Sequence, residues 1–121
     1  MGELALRFVP RKETTIVVPS DWALKDFLIS KLPWVDLAPK FLGASGPSGA
    51  ALFVDPHHPD FPPEWITRDY GVLAIGWPGG NSKTLAAGES VTCNYRLRIH
   101  RGIPLAAEIS KDYEEFGKNA Q

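Results

Sequence analysis

The steadiest periodicity in the chain runs from Glu89 to Arg101. There Val91, Cys93, Tyr95, Leu97 and Ile99 alternate with Thr92, Asn94, Arg96, Arg98 and His100. Such unbroken alternation predicts one long strand, its apolar face in a core and its polar face in water. Ala50–Val54 and Gly71–Trp77 are apolar runs of strand length, which predict buried strands. Leu4–Val9 and Thr14–Val18, separated by Pro10-Arg11-Lys12-Glu13, predict two short strands that a hairpin could join. Trp34-Val35-Asp36-Leu37 has the alternation of a further strand. Ser20-Asp21 could cap a short helix with Leu24, Phe27, Leu28 and Lys31 on one side; the competing reading extends Asp26–Ile29 as a strand.

The pattern changes after Gly102. Pro104 suits a first helical turn, and Leu105, Ile109, Tyr113 and Phe116 form one stripe with Glu108, Lys111, Asp112 and Glu115 turned to water. Gly117 is placed to end that helix. Eleven glycines and eleven prolines punctuate the apolar runs, as expected of short strands joined by turns. The fold class expected is mainly β, an antiparallel β-sandwich or curved sheet with a C-terminal α-helix. A chain of 121 residues fits one domain over residues 1–121.

Charge removes some partners. Thirteen basic and fourteen acidic side chains leave a net charge of -1, so neither nucleic acid nor a membrane surface is an expected partner. No run approaches the apolar length of a membrane span. The single cysteine, Cys93, has no partner for an internal disulfide and lies on the apolar side of its strand, where a buried, inert thiol is expected. A cytoplasmic location is the expectation.

Candidate chemistry gathers in Asp55–Tyr70. Pro56, Pro59, Pro62 and Pro63 exclude a regular central strand or helix, so an ordered surface loop is expected. Asp55 and His57, two apart in extended chain, project to one side and could ligate a metal with His58 or His100; the alternative is a hydrated turn, and no metal or other cofactor is expected. Asp60, Glu64 and Asp69 could supply paired carboxylates for glycoside chemistry, or simply cap turns. Trp65 and Trp77 could stack on a sugar ring or pack in a core. Arg68 and Tyr70 could clamp a ligand, or serve as an ion pair with Asp69 and a packed phenol. The ligand-binding candidates are therefore Asp55, His57, His58, Glu64, Trp65, Arg68, Tyr70 and Trp77. Arg96, Arg98 and His100 form a positive stripe able to hold a carboxylate or phosphate, or a solvated sheet face.

Gly49-Ala50-Ala51-Leu52-Phe53-Val54-Asp55-Pro56, then His58-Pro59, Pro62-Pro63-Glu64-Trp65 and Arg68-Asp69-Tyr70-Gly71, resembles the central signature of the bacterial PmoA-like family, labelled after a methane oxygenase. Trp34-Val35-Asp36-Leu37 and the segment Tyr95–Gly102 resemble flanking elements, and the likeness covers roughly residues 33 to 117. The resemblance implies a sandwich, and its setting in saccharide-degrading bacteria implies a carbohydrate-binding or carbohydrate-active domain. Where the family pattern has histidines, this chain has Asp55, Phe61 and Ile66, which weakens any site built on those imidazoles. Gly2–Arg7 is similar to a strand just past the midpoint of longer members, so the chain is expected to correspond to a C-terminal half. A halved sandwich would expose strand edges and apolar faces, and self-association is expected. The alternative to a saccharide function is thus a non-catalytic assembly domain that self-associates through its proline-rich loop and sheet edges. Whether the chain is an enzyme is left open by its residues.

Overall fold

The structure, a computed structural model, describes residues 4–8, 11–20, 22–23, 27–68, 71–76 and 84–119. Its elements in chain order are β1 (Leu4–Arg7), β2 (Arg11–Val17), β3 (Trp22–Ala23), β4 (Phe27–Lys31), β5 (Trp34–Phe41), β6 (Ser48–Val54), β7 (Glu64–Arg68), β8 (Val72–Gly76), β9 (Tyr95–Arg101) and α1 (Ala106–Asn119). They form two antiparallel sheets, β1-β8-β7-β4 and β3-β2-β5-β6-β9. Period-two patterning sends Ile16, Val35, Leu37, Leu52 and Val54 of the larger sheet inward, against Trp65, Leu73 and Ile75 of the smaller one. The expected sandwich with one C-terminal helix is what forms.

α1 covers the opposite face of the larger sheet. Ile109 and Phe116 pack on Val17, Trp34, Ala51 and Phe53, with Tyr113 at the margin. The Phe53 and Tyr113 rings meet edge-on at 5.5 Å, a favoured geometry. The larger sheet is therefore buried on both faces along β5 and β6, which explains the apolar run Ala50–Val54 and the burial of residues 34–39.

Several expectations need correction. β1 and β2 form no hairpin: β1 pairs with β8, and β2 with β3 and β5. No helix forms at Phe27–Lys31, which is strand β4 paired to β7; Asp21 and residues 24–26 lie outside the described residues. The proline-rich segment ends earlier than its sequence suggests, because the chain joins the smaller sheet as a central strand at Glu64, one residue after Pro63. Helix α1 starts after Pro104, runs through Gly117, and leaves Leu105 exposed.

The largest correction concerns β9. The regular strand begins only at Tyr95, and residues 91–94 are irregular, with Cys93 half-buried. Its faces are also reversed with respect to burial. Arg98 and His100 lie on the side that α1 covers, while Leu97 and Ile99 remain 48% and 80% exposed. Alternation marks which residues share a face, but the element that covers that face is set by tertiary structure. Here Gly102, at φ 76°, turns the chain so that α1 lies over the basic face.

Candidate functional site

The proline-rich connection is built around Asp55, the first residue after β6. Its buried carboxylate accepts hydrogen bonds from the His57 backbone N–H (2.8 Å) and the Asn94 amide (3.2 Å), and its Oδ1 lies 2.9 Å from His57 Nδ1. The His58 N–H donates to the Asp55 carbonyl and the Phe61 N–H to the His58 carbonyl, two successive tight turns that suit Pro56 and Pro59 at their second positions. Burial pushes the Asp55 carboxyl up, yet the hydrogen bonds from His57 and Asn94 and the His57 charge outweigh it, so its pKa lies below the ordinary value. Tyr113 closes this end of α1 by donating to the Val54 carbonyl at 2.7 Å. Burial, with the nearby Asp55 charge, pushes its phenol up to about 12.

Asp55 and His57 do come together, as the sequence allowed, but within a turn of local hydrogen bonds. The imidazole of His57 is largely exposed; that of His58 is buried, accepts from the Asp60 N–H at 3.1 Å and faces Tyr95. Among the described residues no group of His, Cys, Asp and Glu is arranged to hold a metal ion. Trp65 is fully buried in the inter-sheet core and donates to the Leu32 carbonyl, so it offers no ring face to a sugar. Glu64 and Arg68 are half-buried at the two ends of β7. Tyr70, Trp77 and Asp69 lie outside the described residues.

A second polar cluster lies between α1 and the larger sheet. Asp36, inside the apolar strand β5, is fully buried. His100 on β9 reaches it across the intervening strand β6, with Nε2 2.5 Å from Asp36 Oδ1. Passage over β6 is possible because the two residues it crosses on that face are small: Gly49 stands opposite His100, and Ala51 opposite both Asp36 and Arg98. Gly49 has no alternative, since a Cβ there would sit 1.9 Å from the Leu37 carbonyl oxygen. The other imidazole nitrogen, Nδ1, is 3.1 Å from the Gly102 carbonyl. A carbonyl only accepts, so the contact to Gly102 casts Nδ1 as the donor, and a hydrogen bond joins Nε2 to Oδ1. Burial pushes the Asp36 carboxyl above its ordinary pKa, against the pull of the His100 hydrogen bond and the His100 and Arg98 charges. Arg98 Nε bonds Asp112 of α1 at 2.6 Å, and the Arg96 guanidinium lies 5.0 Å from the centre of the Phe116 ring. The positive stripe read from the sequence does hold carboxylates, and they belong to this chain. The missed signal was Asp36 itself: an acid inside an apolar strand needs a buried partner.

At the end of β9 an open groove of about 580 Å³ lies among Ala44, Ser45, Gly46, Pro47, Ser48, Arg101 and Gly102. β9, which contributes Arg101 to that groove, carries Leu97 and Ile99 exposed on its inner face.

Residues 2–114 match the model of a family of unknown function, DUF6807. The chain belongs to that family. The span matched to DUF6807 takes in every strand from β1 to β9, both polar clusters and the Leu97–Ile99 face, and ends within α1. Comparison with curated proteins and with solved structures gives no match. DUF6807 supplies no activity, and among the described residues no helix is long and apolar enough to cross a membrane.

Proposed function

We propose that this domain is a non-catalytic assembly module, and that its contact surface is the β9 edge with the uncovered apolar face beside it. The observation that carries the reading is the exposure of Leu97 and Ile99, at 48% and 80%, on the side of the sheet that elsewhere forms the core. Apolar side chains on a core face are left in water where a further element is meant to cover them. The saccharide reading has less support, because Trp65 presents no stacking surface and Asp55 is occupied by its own turn. Kinship with the PmoA-like proteins, drawn from the motifs around Asp55 and Trp65, belongs to the same proposal, as does a cytoplasmic setting.

Burying what remains exposed of Leu97 and Ile99 is worth on the order of 3 kcal/mol. Alone, that supports homotypic association no tighter than about millimolar. Sedimentation of the full chain up to near-millimolar concentration should show reversible association, and Leu97→Lys with Ile99→Lys should abolish it while the circular dichroism spectrum is retained. A chain that stays monomeric at every concentration and salt level, and whose β9 edge takes no partner strand either, refutes the reading.

A further inference from the structure

We propose that the β9 edge takes, by strand addition, an extended segment in which apolar residues alternate with acidic ones; this rests on the assembly reading above and names its partner.

The backbone parity of β9 sets up the edge. The Asp55 N–H donates to the Asn94 carbonyl and the Gly102 N–H to the Pro47 carbonyl, so even-numbered residues of this strand turn their backbone groups toward β6. The N–H and C=O groups of Leu97, Ile99 and Arg101 therefore point off the sheet. Among the described residues no backbone hydrogen bond reaches them, and β9 is the last strand of its sheet. Natural edges are commonly blunted by a proline, a bulge or an inward-pointing charge. β9 has no proline, its pairing with β6 is unshifted from Tyr95 to Arg101, and mid-strand its inward side chains are Leu97 and Ile99.

The two faces of β9 specify what fits. On the inner face an added strand would meet Leu97 and Ile99, so it needs an apolar residue at alternate positions. On the outer face it would run beside Arg96, Arg98 and His100, with no acidic side chain on the strand. Asp112 and Asp36 already answer Arg98 and His100, whereas exposed Arg96 lies over the Phe116 ring. Acidic residues at the intervening positions complement that face.

A second copy of β9 fits less well. Paired antiparallel about Arg98, it sets Arg98 against itself and Arg96 against His100; shifted to centre on Leu97 or Ile99, it sets Arg96 against Arg98 or Arg98 against His100. In each of these registers basic side chains stand opposite one another, an unfavourable cross-strand pairing.

The test titrates the full chain into fluorescein-labelled peptides of strand length and reads anisotropy, with amide shifts by NMR to locate the site. A peptide alternating valine with glutamate should bind and shift the Leu97, Ile99 and Arg101 amides. A valine–lysine peptide should bind about tenfold more weakly. The valine–glutamate composition in two blocks should not bind. Leu97→Lys with Ile99→Lys should abolish binding, and Arg96→Glu should narrow or reverse the preference for glutamate. Equal affinity for the two alternating peptides, or binding unaffected by the Leu97 and Ile99 changes, overturns the proposal. Failure of all peptides while the chain still self-associates through Leu97 and Ile99 overturns the partner and leaves the assembly reading; failure of both overturns both.

Discussion

Replacing His100 with alanine probes the interior of this domain most directly. Asp36 is fully buried, its Oδ1 is held by His100, and its Oδ2 has no hydrogen-bond partner among the described residues. Without the imidazole, the carboxylate either stays ionised in the interior, at a cost of about 3–5 kcal/mol, or takes a proton. Protonation costs about 1.4 kcal/mol for each pH unit above its unfolded pKa. Burial already raises the Asp36 pKa above 3.8 in the folded state, so the folded chain holds a proton that the unfolded chain releases. The Asp36 contribution is thus most favourable below that value and declines as pH rises toward its folded pKa. Losing His100 removes the larger influences that limit the rise, leaving only the Arg98 charge, and extends the decline to higher pH. Urea unfolding followed by tryptophan fluorescence from pH 5 to 8 should show His100→Ala less stable than wild type. The deficit should grow by as much as about 1.4 kcal/mol per pH unit toward a ceiling near 5. Asp36→Leu combined with His100→Leu should recover most of the loss, since an apolar pair leaves no buried charge. A His100→Ala deficit under about 1 kcal/mol with no added pH slope would refute this account.

Three further outcomes are expected. Thr67 is fully buried and its hydroxyl has no partner among the described residues, so Thr67→Val should be neutral or stabilise by about 1 kcal/mol in urea unfolding; a loss of that size would contradict it. Asp55 has a folded pKa below 3.8, so its stabilisation is complete above that value and is lost as pH falls through the folded pKa. Asp55→Asn should cost about 1–3 kcal/mol at neutral pH and flatten the acid limb of a circular dichroism titration, whereas an unchanged limb would count against the turn described. Tyr113 should ionise near 12 in an ultraviolet titration; because the unfolded phenol releases its proton from about 10.0, stability should fall between those values, and Tyr113→Phe should remove that fall.

Residues whose local pattern agrees with their surroundings were legible in the sequence. Ala50–Val54 is apolar on both sides, and Trp34–Leu37 is so except at Asp36, because sheet and helix cover both, and the Ile109–Phe116 stripe meets that same sheet. The β9 faces were misread because alternation is symmetric, and α1 makes the basic side the covered one, where the Arg96 guanidinium lies over the Phe116 ring. β7 was hidden by Pro62 and Pro63, since a proline just before a strand costs no ladder bond whereas one inside it does. Of the candidate site, the Asp55–His57 proximity was visible because it is local. The Asp36–His100 contact joins residues 64 positions apart through the small side chains of a third strand, which no spacing rule detects.

That contact ties the sheet together crosswise. Backbone ladders let an outer strand peel away one rung at a time, but β9 is also fastened through His100 to β5, beyond its immediate neighbour. Fraying is thereby confined to the Tyr95 end, and detaching the Arg101 end requires a buried carboxylate to give up its partner. Hydrogen exchange should accordingly be slow at Arg98 and His100, whose N–H groups face β6, and faster toward Arg96. A margin stiffened in this way can hold Leu97 and Ile99 in water without rearranging to hide them.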